Sequence, residues 1–230
     1  MRVIAHRGCL AQYPENTRYA FRESARVVDM IETDVRRCGS GELVVFHDET
    51  LDRVTDRTGA VESLSLAELR EVSILDSGES IPRLVELFET VPPTVGLNLE
   101  LKGRDLARDT IAIADQYDHD VIISSFRPED LAVAGDTDAT ALAYLFAADD
   151  TADFDVADAL DTAVDLGCEY AHPEVALCLE TDVVGDAHAR SLAVNAWTAE
   201  TETEVRALRA RGVDGIVIED CDLAAVCRGE

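Results

Sequence analysis

Charged side chains recur at every second position in two short apolar segments of the sequence. Glu32 and Asp34 alternate with apolar or β-branched residues in MIETDVR, and Glu100 and Lys102 alternate with leucines in LNLELK. In an extended strand this alternation places the charged side chains on one face. Because three carboxylates repel one another unless a cation lies between them, we expect a divalent ion there. Oxygen ligands without a thiolate favour Mg²⁺ or Ca²⁺, with Mn²⁺ possible and zinc disfavoured.

Two histidines and two basic residues accompany these carboxylates. The segments VIAHRG and LVVFHD place His6 and His47 at the ends of apolar runs, and Arg7 follows the first histidine. Imidazoles beside a divalent cation suit general acid–base catalysis near neutral pH. Arg7 and Lys102, the only lysine of the chain, concentrate positive charge in a protein of net charge −27. This pattern favours an anionic substrate, most simply a phosphate ester.

The same residues allow two other interpretations. If the carboxylates and cations only neutralise one another, they form a buried salt-bridge network without affinity for metal, and the histidines have no role. If an ion binds but no reaction follows, the chain is a metal- or phosphate-binding protein without catalytic activity.

Short apolar runs alternate with amphipathic segments along the whole sequence. Strands that alternate with helices predict a parallel sheet with right-handed crossovers, and eight such units in 230 residues fit a closed (β/α)₈ TIM barrel. A doubly wound open sheet is the alternative, although no GxGxxG turn follows the first run. The predicted strands are 2–6, 30–47 (one strand with an excursion), 95–101, 120–126, 140–146, 168–172, 192–198 and 215–219. The predicted helices are 16–29, 84–90, 105–117, 128–134, 153–166, 182–190, 202–211 and 222–227.

One segment lies outside this alternation. Residues 48–83 contain a turn and a short helix that we expect to begin near Ser65, and we interpret them as a short insertion over the barrel mouth. We therefore expect a single catalytic domain over residues 1–230. In a barrel the charged residues would meet at the carboxyl ends of the strands, where barrel enzymes keep their active sites.

Composition narrows the classes of partner and environment. With 47 acidic and 20 basic residues, the chain has no basic stripe that could neutralise nucleic-acid phosphates. Acid enrichment with a single lysine is typical of a halophilic protein, because molar salt shortens the Debye length to about 3 Å and screens carboxylate repulsion. We expect loss of the fold at low salt. The sequence does not indicate an oligomeric state.

The cysteines and the apolar runs suggest a compartment. Six cysteines form no CxxC pair or zinc-ligand spacing, and we expect mostly buried, reduced thiols. No apolar run approaches the roughly 20 residues of a membrane span, and the first strand pattern begins at once without a signal peptide. These observations predict a cytoplasmic protein without stable membrane insertion.

Taken together, the motifs resemble those of the glycerophosphodiester phosphodiesterase family over most of the chain. In chain order they are His6-Arg7-Gly8, Pro14-Glu15-Asn16-Thr17, Glu32-x-Asp34, His47-Asp48, Asn98-x-Glu100-x-Lys102 and Trp197-Thr198. The resemblance implies a (β/α)₈ barrel that hydrolyses glycerophosphodiesters of lipid metabolism to glycerol phosphate and an alcohol, with a divalent metal.

The resemblance also implies roles for individual residues. His6 and His47 would be the acid–base pair, with His6 favoured as base, and Glu32, Asp34 and Glu100 would hold the metal. The implied substrate-binding residues are Arg7, Glu15, Asn16, Lys102 and Trp197. Trp197 could equally be core packing, and Asn16 or Thr17 could cap the first helix.

Two points stay open. The family's Thr-Asp after the last strand is replaced by Ile218-Glu219, so no role is assigned on that strand. The nucleophile is either water or the glycerol 2-hydroxyl, and the second route leads through a cyclic phosphate. A cyclising phospholipase or lyase acting on lysophospholipid-like diesters is the alternative enzyme.

Overall fold

A computed structural model of the chain describes residues 1–136, 140–148 and 154–229. Its strands are β1 (Arg2–His6), β2 (Met30–Arg37), β3 (Leu43–Val45), β4 (Gly96–Leu101), β5 (Val121–Ser125), β6 (Ala141–Phe146), β7 (Tyr170–Pro173), β8 (Ala193–Ala199) and β9 (Gly215–Ile218). All except β3 are parallel and pair in the order β1, β9, β8, β7, β6, β5, β4, β2, and the pairing of β1 with β2 closes the ring. The predicted (β/α)₈ barrel is confirmed, and the open doubly wound sheet is wrong.

The helices lie between these strands. They are α1 (Arg18–Ser24), α2 (Leu66–Leu69), α3 (Leu84–Thr90), α4 (Ala107–Ala114), α5 (Pro128–Ala134), α6 (Val156–Asp165), α7 (Val175–Glu180), α8 (Val183–Ala189), α9 (Glu202–Arg211) and α10 (Leu223–Arg228). Thr17, not Asn16, caps α1 by accepting a hydrogen bond from the Ala20 amide. Helix α7 was not predicted. Helix α6 begins at Val156, and residue 153, where the prediction began, lies outside the described residues.

The barrel interior has an apolar floor below its polar end. The buried members of this floor are Ile4, Met30, Ile122, Ala143 and Val217. Residues two positions apart share a strand face, so His6 follows Ile4, and Glu32 follows Met30, on the inner side. His6 and Glu32 therefore lie one layer above the floor, toward the carboxyl ends of the strands. On the outer face of β4, Leu97, Leu99 and Leu101 pack in the main hydrophobic cluster.

The segment 30–47 departs from the predicted single strand. β2 ends at Arg37, and the chain turns through Gly41 (φ +101°) into β3, which pairs antiparallel with β2 so that Val35 faces Val45. β3 lies beyond the ring, and among the described strands it pairs only with β2. His47 consequently does not end a barrel strand. Side chains alternate in the same way in either strand direction, so the sequence pattern could not separate the two cases.

The insertion has a hydrophobic core of its own, here called the insertion cluster. Its buried members are Cys38, Val44, Phe46, Leu51, Val54, Val61, Leu69, Val72, Ile74 and Ile81. The short helix predicted near Ser65 is α2, and Ser65 and Glu68 form a reciprocal capping box at its start. Val44 of β3 and Phe46, the residue before His47, pack into this cluster, whereas Leu43 and Val45 of β3 pack into the main hydrophobic cluster.

Two cysteines contradict the expectation of reduced thiols. Cys9, in the loop after β1, and Cys221, after β9, form a disulfide across 212 residues of sequence. The two loops meet because β1 and β9 are neighbours in the ring. Cys38, Cys168, Cys178 and Cys227 remain buried thiols. Within the described ranges no helix has the length and apolar character required to cross a bilayer.

Candidate active site

Three buried carboxylates meet at the carboxyl ends of β2 and β4. Glu32, Asp34 and Glu100 are 5%, 0% and 8% exposed, and one oxygen from each lies within 4.8 Å of the others. The register of the two parallel strands causes this meeting, since Asp34 is the pairing partner of Glu100. Burial and the neighbouring charges of Asp34 and Glu100 raise the pKa of Glu32 well above its usual range. Burial also raises the pKa of Glu100 to about 7.

This carboxylate cluster fits a hard divalent cation. The buried Oε1 of Glu32 has no hydrogen-bond partner among the described residues, so its desolvation is uncompensated. Three carboxylate oxygens at this spacing match the oxygen donors that Mg²⁺ and Ca²⁺ prefer. A cation there would offset the mutual repulsion of the three carboxylates and give Glu32 Oε1 a partner.

The two predicted basic residues lie against the cluster. Lys102 Nζ is 2.5 Å from Glu100 Oε1 and 3.5 Å from Asp34 Oδ1, and Arg7 Nε is 3.1 Å from Asp34 Oδ2. Burial disfavours the charged Asp34 carboxylate, but Arg7 and Lys102 lower its pKa below the ordinary value. Burial likewise opposes the Lys102 charge, yet Asp34 and Glu100 raise its pKa. Both cations therefore stay charged beside the carboxylates.

The loop after β1 folds tightly to bring Arg7 inward. Arg7 and Gly8 have φ values of +49° and +81°, and a Cβ on Gly8 would lie 2.8 Å from the Ala20 Cβ. Only glycine fits at that position, because both the backbone conformation and the space exclude a side chain. Asn16 closes the loop, donating to Asp34 Oδ2 at 2.8 Å and accepting from the Thr33 hydroxyl at 2.7 Å. Its side chain thus orients a carboxylate of the cluster.

Glu15 connects the barrel to the insertion. It accepts hydrogen bonds from Arg7 at 3.0 Å and from both terminal nitrogens of Arg53 at 2.8 Å. Arg53 also donates to Asp48 at 2.7 Å. Burial opposes the Glu15 charge, but Arg53 and Arg7 lower its pKa. The structure therefore places Glu15 in an ion-pair network at the edge of the site.

His6 is held by a residue to which the sequence assigned no role. Its Nδ1 lies 3.2 Å from Glu219 Oε1, just after β9, and its Nε2 lies 3.9 Å from Glu32 Oε2. The hydrogen bond to His6 lowers the pKa of Glu219. The signal for this contact was only the position of Glu219, two residues beyond the inward-facing Val217.

His47 has a matching carboxylate partner. Its Nδ1 lies 2.5 Å from Asp48 Oδ1, and its backbone carbonyl accepts a hydrogen bond from Arg36 Nε at 2.8 Å. Burial lowers the pKa of His47 below its ordinary value, although Asp34 opposes the change. Burial opposes the Asp48 charge, but hydrogen bonds from Arg53 and His47 lower its pKa to about 2. In both histidines a carboxylate fixes Nδ1 and leaves Nε2 for chemistry.

A cavity of about 230 Å³, here called the active-site cavity, opens above the carboxylates. It is lined by His6, Arg7, Glu32, His47, Asn98, Glu100, Lys102, Phe126, Leu145, His172, Trp197, Thr198 and Val217. Trp197 forms part of its wall, donating to the His172 carbonyl at 2.7 Å and packing edge-on against Phe126. Glu15, Asn16 and Asp34 lie behind the lining, whereas the other predicted site residues reach the cavity.

His172 and Asn98 add buried polar groups to this cavity. His172 is 1% exposed, its Nε2 lies 2.9 Å from Asn195 Nδ2, and burial lowers its pKa to about 3. This imidazole therefore stays neutral. The buried Oδ1 of Asn98 has no hydrogen-bond partner among the described residues. His172 was not predicted, since a single histidine in an apolar run carries no distinctive spacing.

Known proteins share this fold. A crystal structure of a glycerophosphodiester phosphodiesterase from Thermotoga maritima has a TM-score of 0.85 and 26% identity, covering 98% of this chain and 97% of that one. A phosphodiesterase from Oleispira antarctica, solved with the product sn-glycerol-3-phosphate, has a TM-score of 0.86 and 28% identity, covering 99% and 97%.

Sequence comparisons give the same assignment. A glycerophosphodiester phosphodiesterase from Bacillus altitudinis is 29% identical over the whole chain and 98% of its own length. Another, from Caldanaerobacter subterraneus subsp. tengcongensis, is 37% identical over 54% of this chain, and the match spans 57% of that protein. The model of the glycerophosphoryl diester phosphodiesterase family matches residues 6–223. The resemblance of the motifs is thus confirmed, and the chain belongs to that family.

Proposed function

We propose that this protein hydrolyses glycerophosphodiesters to glycerol phosphate and an alcohol. The observation that carries the proposal is the meeting of three carboxylates with two carboxylate-held histidines around one cavity. Family membership and the product held by the Oleispira antarctica structure support it.

Glu32, Asp34 and Glu100 would hold one divalent ion in this proposal. Such an ion polarises the phosphate and stabilises negative charge on its oxygens. Lys102 and Arg7 bind the phosphate through charge-assisted hydrogen bonds. The compact ammonium of Lys102 fits between Glu100 and the phosphate, where a broad guanidinium would not.

The two histidines move the protons. We assign His6 as the base that takes a proton from the nucleophile and His47 as the acid that protonates the departing alkoxide. Glu219 and Asp48 orient the two rings through Nδ1. When water is the nucleophile, its hydroxyl oxygen bonds to phosphorus, the bond to the alcohol oxygen breaks, and the proton from His47 completes the alcohol. If the glycerol 2-hydroxyl attacks first, a cyclic phosphate precedes glycerol phosphate.

We further propose the setting of this activity. The ion is Mg²⁺ or Ca²⁺, since the donors are carboxylate oxygens alone. The enzyme serves lipid metabolism in the cytoplasm of a halophile, where molar salt screens its net charge of −27. The Cys9–Cys221 disulfide is the one feature that argues for a less reducing compartment.

The test is release of glycerol phosphate from glycerophosphoglycerol and glycerophosphoethanolamine in molar KCl, with Mg²⁺, Ca²⁺, Mn²⁺ or EDTA. We expect turnover that requires metal and is lost in His6→Ala and Glu100→Gln. Glu169→Gln, an exposed glutamate before β7 at the opposite end of the barrel, is the matched control and should retain activity. Phosphorus NMR during turnover would show whether a cyclic phosphate forms. Metal binding without hydrolysis of either diester would contradict the proposal.

A further inference from the structure

A second cavity lies beside the active-site cavity at the mouth of the barrel. Its volume is about 620 Å³, and it is here called the arginine cavity. Its walls come from the β2–β3 turn, the insertion, the loop after β4 and the start of α5. The lining is Arg36, Arg37, Cys38, Gly39, Gly41, Glu49, Thr50, Ala60, Val61, Glu62, Lys102, Gly103, Arg104, Leu106 and Arg127.

The charge of this cavity is opposite to that of the chain. Five cationic and two acidic side chains line it, although acidic residues outnumber basic ones 47 to 20 in the sequence. Arg37 and Arg127 are neutralised locally, by Asp109 at 2.8 Å and Asp130 at 3.1 Å. Lys102 is paired with Glu100 and Asp34, so the two remaining cations are the ones that could meet a further anion.

Arg36 and Arg104 are those cations. Neither forms an ion pair within 4.0 Å of a carboxylate in the described part of the chain. Arg36 is partly buried and donates from Nε to the His47 carbonyl, and Arg104 is exposed at the rim. Unpaired arginines on a shared cavity are unexpected in so acidic a protein.

Lys102 relates the two cavities. Among the described residues it is the one that lines both. A phosphodiester has two organic arms on one phosphate, so a phosphate held at Lys102 and the carboxylate cluster can direct one arm into each cavity. The smaller active-site cavity, with Trp197 and Asn98 on its wall, suits the glycerol arm. The arginine cavity is then left for the arm that departs.

We propose that the arginine cavity receives the leaving alcohol and favours alcohols that carry a second anionic group, a phosphate or a carboxylate. This inference rests on the proposed function and narrows its substrate class. Arg36 and Arg104 bind the second anion while Lys102 holds the scissile phosphate. The anionic group itself does not react, because only the bond between phosphorus and the alcohol oxygen breaks.

The experiment measures binding separately from turnover. Four diesters are titrated by calorimetry into metal-loaded His6→Ala protein, which keeps the metal ligands and both cavities. They are glycerophosphoglycerol, its analogue with a phosphate on the leaving glycerol, glycerophosphoserine and glycerophosphoethanolamine. A charge-assisted hydrogen bond predicts that the phosphorylated diester binds about tenfold tighter or better than glycerophosphoglycerol. Glycerophosphoserine should bind more tightly than glycerophosphoethanolamine. This second comparison tests recognition of a carboxylate separately from recognition of a phosphate.

Variants then locate the preference. Arg104→Ala and Arg36→Gln, each in the His6→Ala background, should reduce the preference for the phosphorylated diester several-fold. The matched control is Arg108→Ala, an exposed arginine of α4 outside the cavity, which should keep the preference. Equal affinity for the two glycerol diesters, or a preference unchanged by Arg104→Ala and Arg36→Gln, would overturn the inference. If wild-type protein hydrolyses none of the four diesters while the arginine-dependent preference persists, the proposed function fails and the anion site stands.

Discussion

The two histidines of the site have the same local geometry but different structural support. His6 ends a strand of the closed barrel, and its partner Glu219 follows the neighbouring strand. His47 follows β3, which lies beyond the ring, and Val44 and Phe46 just before it pack into the insertion cluster. Each imidazole nevertheless presents Nδ1 to a carboxylate. One half of the proposed acid–base pair thus depends on the barrel, and the other half depends in part on the insertion cluster.

The covalent support on the His6 side can be removed. The double variant Cys9→Ser/Cys221→Ser lacks the disulfide that joins the loops after β1 and β9. A loop of this length predicts a decrease of about 5 kcal/mol in the free energy of unfolding by the chain-entropy model. Denaturant unfolding in high salt, followed by circular dichroism, measures this change in the free energy of unfolding. Dithiothreitol should destabilise the wild type and leave the double variant unchanged; equal sensitivity would contradict a disulfide in the native protein.

The chemical roles of the two histidines can be separated by leaving-group reactivity. His6→Ala and His47→Ala should each lower turnover of glycerophosphoglycerol by about 10²- to 10⁴-fold. A p-nitrophenyl diester needs no protonation of its leaving group, so His47→Ala should recover most of its rate on that substrate. His6→Ala should not recover, because the base is still absent. The control, His188→Ala, changes an exposed histidine paired with Asp214. If His6→Ala, rather than His47→Ala, recovers its rate on the p-nitrophenyl diester, the assignment of base and acid is reversed.

The carboxylate partners provide a milder comparison. Asp48→Asn and Glu219→Gln each remove one charge-assisted hydrogen bond, so kcat should fall by about tenfold to a hundredfold. Asp48 raises the pKa of His47 through that bond, and its loss should lower this pKa further. Because His47 must be protonated to act as the acid, the alkaline limb of the pH–rate profile moves to lower pH in Asp48→Asn. If the alkaline limb of the pH–rate profile does not move in Asp48→Asn, or moves in the same way in Glu219→Gln, the result would argue against His47 as the acid.

A third histidine, His172, has no carboxylate partner in the described part of the chain and should titrate differently. Burial lowers the pKa of His172 to about 3, whereas the unfolded chain has a histidine pKa of about 6.5. Below pH 6.5 the unfolded state therefore binds more protons, and stability falls as pH decreases toward 3, by up to about 1.4 kcal/mol per pH unit. His172→Asn removes this contribution. In denaturant unfolding between pH 7 and 5, the free energy of unfolding should therefore fall more steeply toward pH 5 in the wild type than in His172→Asn. Parallel pH dependences of the two proteins would refute this prediction.

The sequence predicted the barrel and the meeting of three carboxylates because both depend on local alternation along single strands. Contacts between segments that are distant in sequence were harder to predict. The disulfide joins residues 212 positions apart, and only the ring order of β1 and β9 makes its geometry possible. Glu219 was missed for the same reason. The direction of β3 was missed because alternation is identical in parallel and antiparallel strands.

The insertion cluster should also affect the order in which parts of the protein unfold. A cluster of ten buried residues is a smaller cooperative unit than the barrel core, so it should open at a lower free energy than global unfolding. Each opening would displace His47 while Glu32, Asp34 and Glu100 stay in place on the barrel strands. Hydrogen exchange would register this event as amides of α2 and of the insertion around it exchanging before those of β2 and β4. In mild denaturant the protein would then lose its activity before it releases its metal.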